Sequence, residues 1–343
     1  MPRIYVKKII FLFFIVVFIH SLNACSHSPK KEDNRCITYR AAFDVGSETT
    51  KMKVAKVNKC LQKNERFIYR NEAKISYAEN YRSGAFTPEI QKAGIDALSR
   101  MKNEAINHGA EAFSGVATES FRQASNTLEF LDEVKKKTGI SLKLIDQNEE
   151  AILGYLAATA AFNLKPEATI VWDIGGSSMQ IIFRNLNKRF VIYQGKMASV
   201  SFKERITTEV KQENLNHQSS PNPIGKKNLK KAIELAAIAA ADVPQEIQQV
   251  INSTPVIIGI GGVHNQSVKK QLAFNAPYTQ EELMNTIERR IELTDKEIGG
   301  RYAATDVSNL ILVLGFMKKL GIKEVIPIDV NLADGVLIDP AFW

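Results

Sequence analysis

The stretch TIVWDIGGSSMQIIF, Thr169 to Phe183, decides how the chain is read. Thr169-Ile170-Val171 opens it with β-branched residues that favour a buried strand. The strand closes on Asp173, and Gly175-Gly176-Ser177-Ser178 turns it into a second apolar run. Two glycines let the backbone approach a ligand closely, and the amides and hydroxyls beside them can surround an anion. A carboxylate at the strand end is placed to hold a hydrated divalent cation beside phosphate oxygens. An ordinary hairpin turn is the alternative for this motif taken alone.

A second copy of the pattern lies upstream. Ile37 to Val45 and Met52 to Val57 read as strands joined by Gly46-Ser47-Glu48-Thr49-Thr50, so Asp44 and Gly46 repeat the aspartate and glycine. A turn centred on Glu48 pairs residues whose numbers sum to 96, which sets Cys36 opposite Cys60 within reach of a disulfide. Two unrelated buried thiols are the other reading. Thr87-Pro88 starts a helix, Phe113 to Ala117 is a strand, and Asn126 caps a helix to about Lys137. Leu142 to Ile145 is a strand, and Glu149 to about Phe162 a buried helix, interrupted by Lys165-Pro166-Glu167. Beyond the opening stretch come a polar loop (Gln212 to Gly225), the strand PVIIGIGG (Pro255 to Gly262), the helix Asn309 to Leu320 and the strand Glu324 to Ile328. Strand, Asp-x-Gly turn and strand recur in the two halves, as after a duplication.

At 343 residues two domains are the default, and 45% apolar with 24% charged residues describes a globular chain with ample core. The amino terminus differs: Arg3, Lys7 and Lys8 precede an apolar run, Ile9 to Ile19, too short to span a membrane comfortably. That is the form of a secretory signal peptide over residues 1–24. Leu22-Asn23-Ala24-Cys25 resembles a bacterial lipobox, so Cys25 is the expected lipidated first residue; cleavage without lipid and an uncleaved anchor are the alternatives. Residues 25–36 then form the anchor and tether. The expected location is a membrane-anchored lipoprotein facing the periplasm, and Ser26 favours the outer membrane in a Gram-negative host. Losing residues 1–24 takes the net charge from +8 to +5, and the scattered Lys and Arg exclude a nucleic-acid stripe.

Four segments, AAFDVGSETTKMKVAKV, GVATESFRQASN, LIDQNEEAILGYLAA and TIVWDIGGSSMQIIF, together resemble the exopolyphosphatase/guanosine pentaphosphate phosphatase (Ppx/GppA) family in order and spacing. The resemblance runs from about Ile37 through IGIGG to GIKEVIPIDVNLADGVLID. It implies an actin-like, ribonuclease-H-like fold of two α/β domains around a phosphate-binding cleft, here 37–146 and 147–343. It implies phosphate binding by Asp44, Gly46, Ser47, Thr118, Arg122, Gly175, Gly176 and Ser178, with Gly261 and Gly262 at the distal end of the substrate. Glu150 matches the general base, and Asp173 the residue that holds Mg²⁺ or a similar ion.

The implied reaction is hydrolysis of a phosphoanhydride in polyphosphate, (p)ppGpp or a nucleotide-like molecule, by a chain with room to form a homodimer. Such chemistry needs an aimed water, a base and donors for the equatorial oxygens. Three positions depart from the family pattern: Gln180 for a glutamate, Glu48 for an asparagine, and Ala333-Asp334 for an arginine-glutamate pair. Gln180 also resembles the glutamine that orients water in ecto-apyrases. A catalytically inactive ligand-binding or interaction protein of the same fold is the competing reading. His108 and His264 lack partners at metal-ligand spacing and read as surface or loop residues, and Trp172 as core.

Overall fold

Strand β1 (Ile37–Val45) pairs antiparallel with β2 (Thr49–Asn58) on one side and parallel with β4 (Ala112–Ala117) on the other. With β3 (Lys63–Lys74) and β5 (Ser141–Leu144) they form a sheet of order β3-β2-β1-β4-β5. The computed structural model describes residues 34–343 apart from 81–83, 163–167, 217–218, 254–255 and 274–276. The signal segment, Cys25 and the Lys165-Pro166-Glu167 interruption therefore lie outside the described residues.

The second sheet is built by the same rule. Strands β6 (Thr169–Ile174), β7 (Met179–Arg184) and β8 (Phe190–Gly195) run antiparallel, and β9 (Val256–Ile260) joins β6 in parallel. Beyond the short β10 (Tyr278–Thr279) in sequence comes β11 (Glu324–Pro327), and the order is β10-β11-β9-β6-β7-β8. The duplicated pattern is thus a duplicated topology: an antiparallel triplet extended by parallel strands on its far side. Parallel neighbours need crossovers, which helices α1 (Pro88–Asn107), α2 (Glu119–Gln123) and α3 (Thr127–Thr138) supply in the first half.

Alternation along the strands divides each sheet into two faces. In the first, Phe43, Val45, Met52 and Val54 pack with Leu98 and Met101 of α1 and Phe130 of α3. Their alternates, Ala42, Ala55, Val57 and Val116, pack instead with Leu332, Val336 and Leu337 of α7 (Leu332–Ile338). In the second sheet, Trp172, Ile174 and Ile181 share a core with Val307 to Phe316 of α6 (Ala303–Leu320), which crosses α5 (Lys226–Ala240). Val171, Ile182, Ile258 and Ile260 pack under Tyr155 and Ala158 of α4 (Gln147–Phe162). Helices α4 and α7 therefore lie back to back between the sheets. A β-carbon on Gly335 would fall 2.7 Å from the Leu153 carbonyl oxygen, so only glycine allows this crossing.

Two expectations are corrected, and one strand is added. The first hairpin pairs Ile37 with Asn58 and Val45 with Thr50, a sum of 95 and not 96. The turn is centred between Ser47 and Glu48, where the Gly46 N–H bonds to the Thr49 carbonyl at 3.0 Å. Lys59 donates to the Cys36 carbonyl at 2.8 Å, and Cys60 sits in the turn beyond it, yet Cys36 and Cys60 are disulfide-linked with Cα atoms 5.3 Å apart. Strand β3 escapes a sequence reading because it is an edge strand whose short Phe67-Ile68-Tyr69 centre is flanked by charged and polar residues, a composition that protects an edge and hides the strand.

His264 is the second correction. It is fully buried in the helical turn Val263–Val268, edge-on to Trp172 at 4.8 Å, with Nδ1 at the Tyr278 hydroxyl. Gly259 makes room for it: a β-carbon there would come within 2.7 Å of the imidazole. Burial pushes the imidazole down to about 3, whereas an unfolded histidine titrates near ~6.5. Below pH ~6.5 the unfolded chain takes up a proton that the folded chain refuses, so stability is present above that value and lost as pH falls toward 3. Denaturant unfolding between pH 7 and 4.5 should show a slope steeper by up to ~1.4 kcal/mol per pH unit in wild type than in His264→Gln. Equal slopes would remove this histidine as a source of acid sensitivity.

Candidate active site

The two Asp-Gly turns meet between the sheets. A β-carbon on Gly176 would lie 3.3 Å from Cγ of Glu48, so the loops touch where their glycines are. The Gly175 N–H bonds to the Ser178 carbonyl at 2.9 Å, and the Gly175 and Gly176 carbonyls accept from Ser199 and Val200 at 3.3 and 2.8 Å. The second loop is thus braced on its carbonyl side by the helix Ser199–Arg205. In the first loop the buried Ser47 accepts from the Ala78 N–H at 3.0 Å. Thr118 is buried at the end of β4, its hydroxyl 3.5 Å from the Val45 carbonyl.

Strand register aims the carboxylates. Asp44 shares its strand face with Ala42, and Asp173 with Val171, so both point into the layer that holds α4 and α7. Asp44 pairs across the hairpin with Lys51, and Asp173 pairs with Gln180. Gly154 of α4 packs against Ile260, whose Cδ1 a β-carbon there would approach to 3.0 Å, and lies beside the Asp173 carboxylate. Gly261 is tighter, with φ +83° and a hypothetical β-carbon 2.2 Å from Oδ1 of Asp173. Gly261→Ala should therefore displace the Asp173 carboxylate and lower both melting temperature and any cleft activity. An alanine variant with the wild-type affinity for divalent ions would show that Asp173 does not depend on this contact.

Glu150, in the first turn of α4, is 6% exposed. Its Oε1 accepts from the Ser178 hydroxyl at 3.1 Å, and its Oε2 is 2.9 Å from a terminal nitrogen of Arg122. Burial pushes this carboxyl up to about 7, with Arg122 pulling the other way and Asp173 and Asp44 adding to the rise. Asp173 is pushed up to about 6 by burial, opposed by Lys51 and reinforced by Asp44. Asp44 is raised by burial as well, again opposed first by Lys51. Gln180 is 1% exposed, and neither end of its amide has a partner among the described residues. A buried amide left open beside a buried carboxyl is a place for a water.

Beside Asp173 and Gly261 the cleft opens into a cavity of about 330 Å³, lined by Lys51, Arg70, Glu72, Gly262, Asn265 and Asp329. Asp329 pairs with Arg70 across it and accepts from Asn265 at 2.8 Å. Lys53 and Asp334 make a buried ion pair at 2.7 Å, and Asp334 also accepts from the Asn331 N–H that opens α7. Sequence reasoning missed Lys51, Lys53, Arg70, Asp329 and Glu119. Lys51 faces Asp44 in the observed register, whereas the expected sum of 96 sets Met52 there.

The donor set suits a hard divalent ion. Two carboxyls from opposite loops, Asp44 buried and Asp173 half-buried, share one lysine; Asp44 raises Asp173 and Asp334 raises Asp44, an arrangement that a cation would relieve. Among the described residues no group of three or more His, Cys, Asp or Glu could hold a metal alone. Mg²⁺ is commonly held by one or two carboxylates, with water and substrate phosphates completing the shell.

Doubled sheets with crossing central helices and facing Asp-Gly loops define the actin-like, ribonuclease-H-like fold. Residues 57–341 match the family model described as the Ppx/GppA phosphatase family, and the chain belongs to that family. A solved Aquifex aeolicus member superposes with TM-score 0.69 at 19% identity, over 88% of this chain and 97% of that one. An exopolyphosphatase structure from Cytophaga hutchinsonii gives TM-score 0.69 at 16% identity, over 88% and 96%. In sequence, exopolyphosphatase 1 of Mycobacterium tuberculosis is 30% identical over 97 residues, 27% of this chain and 28% of that protein. The similar Mycobacterium leprae protein is 27% identical over 99 residues, so the matched stretch spans 29% of its length.

Proposed function

We propose that this chain hydrolyses phosphoanhydride bonds in polyphosphate or a (p)ppGpp- or nucleotide-like substrate. One observation carries the reading: a buried carboxyl, Glu150, is held by Ser178 and Arg122, and two residues on from Ser178 a buried amide, Gln180, opposite Asp173, has neither end partnered among the described residues. Glu150 takes the proton of the attacking water at its carboxylate, and Gln180 aims that water, since a neutral amide cannot accept the proton. The Gly46-Ser47 and Gly175–Ser178 loops supply donors to the phosphate oxygens, with Thr118 beside them. Gly261 and Gly262 border the cavity for the distal phosphates. Asp173, with Asp44 opposite, would hold Mg²⁺ or a similar ion, which when bound neutralises charge on the phosphate oxygens.

The test is phosphate release by the soluble fragment from polyphosphate, pppGpp, ATP and ADP, with and without Mg²⁺. Release from none of them would overturn the hydrolase reading. The second reading, a binding protein without turnover, is favoured by Glu48, a carboxylate set where the two loops meet. Tight binding of these substrates without hydrolysis would select it.

The same proposal places the chain at a membrane facing the periplasm, held by lipid on Cys25, on the strength of the lipobox-like Leu22–Cys25 segment. Cys25→Ala should move the protein to the soluble fraction. Retention of the variant on membranes in high salt would sink the lipid anchor.

A further inference from the structure

Arg122 is expected, from the family resemblance, to grip substrate phosphates, and an arginine does this best with its two-pronged face. Here that face is occupied. Nε and one terminal nitrogen of Arg122 both donate to Oε2 of Glu119, one turn earlier on α2. The other terminal nitrogen donates to the Ile145 carbonyl at 2.9 Å and lies 2.9 Å from Glu150 Oε2. Glu119 is itself steadied, its second oxygen accepting from Gln123. The side chains are 18% (Arg122), 22% (Glu119) and 8% (Glu150) exposed, so this is a packed chain of interactions that runs on from Glu150 to Ser178.

We propose that Glu119 is a positioning residue that commits Arg122 to Glu150 and withholds it from the substrate. By holding the fork, it turns the one remaining arm toward the base and fixes the base's second oxygen. The Glu150 carboxylate then has one oxygen hydrogen-bonded to Ser178 and the other in ion-pair contact with Arg122, which favours one orientation toward the cleft. Without Glu119 the freed guanidinium would turn to the most negative group within reach, an incoming phosphate. Binding would tighten while the base lost its support, so affinity and turnover would move in opposite directions. The inference rests on the hydrolase reading for its second half, and on Arg122 alone for its first.

The experiment compares wild type, Glu119→Ala, Glu119→Gln, Arg122→Gln and the double variant Glu119→Ala/Arg122→Gln. Binding of imidodiphosphate, which is not hydrolysed, is read by calorimetry, and kcat and KM are read on the substrate that wild type cleaves. Glu119→Ala should bind imidodiphosphate about tenfold more tightly, the scale of one additional charge-assisted hydrogen bond. Its kcat should fall about tenfold as the base loses its geometry, and its KM should fall with it. Glu119→Gln keeps an acceptor for the fork and should lie between, which also covers the case of an alanine variant that folds poorly.

Tightening that persists when Arg122 is glutamine would show simple relief of charge repulsion and overturn the proposal. So would a lower kcat with a raised or unchanged KM, the signature of a merely structural glutamate. A wild type that binds the analogue but cleaves nothing overturns the hydrolase reading instead. The Glu119 assignment then stands or falls on the binding comparison with the double variant.

Discussion

Glu150→Gln is expected to lower single-turnover hydrolysis by about 10²- to 10⁴-fold, the usual cost of removing a positioned base. The substitution keeps the size of the side chain and an oxygen for the Ser178 hydroxyl, which now donates to Oε1 at 3.1 Å. What it removes is the acceptor that can carry a proton away from the water. Substrate binding in the presence of Mg²⁺ should hold within a few-fold of wild type, so the loss falls on kcat. Gln180→Ala should cost less, since it frees the water without taking away its proton acceptor. Undiminished turnover in Glu150→Gln would take Glu150 out of the mechanism.

Asp173→Asn should be nearly as damaging, by about 10²- to 10³-fold at saturating Mg²⁺, because it removes a charge on which charge neutralisation at the phosphate depends. A second readout does not depend on activity. The Asp173 carboxyl is held up at about 6 against an ordinary value near 3.8, so the fold favours its protonated form. Stability from this group is present at low pH and lost as pH rises from about 3.8 through 6. At pH 7.5 without divalent ions, Asp173→Asn should melt above wild type. Adding Mg²⁺ should raise the wild-type melting temperature and leave that of the variant unmoved. Equal stabilisation of both proteins by Mg²⁺ would place the ion elsewhere.

Much of this site is legible in the chain, because its parts are local. Each loop is a strand, an aspartate and glycines in a row, and the alternation around Asp173 already assigns Trp172 to the core. What the sequence conceals is separated by distance or decided by geometry. A loop's length does not reveal its centre, and one residue of difference moved the hairpin sum from 96 to 95. Lys53 and Asp334 are 281 positions apart, and no local pattern announces that they pair. The link between Glu119 and Arg122 is the opposite case: three residues apart on one helix, it is a readable pair whose consequence appears only with Glu150 beside it. His264 misled because a histidine just beyond two glycines looks like a loop residue, whereas Gly259, with no β-carbon, leaves it room in the core.

The place of α7 has a consequence in time. Residues 332–338 cover one side of a sheet whose strands lie within residues 37–144, and between the two comes the whole of the second lobe. A ribosome adding about 5–20 residues per second needs on the order of ten to forty seconds to get from the end of β5 to α7. Throughout that interval Ala42, Ala55, Val57 and Val116 have no α7 to cover them. The first lobe is begun first and finished last, so residues 37–144 alone lack part of the core they share with α7. A chain stopped just short of Leu332 would lose the fold of the lobe farthest from the cut in sequence.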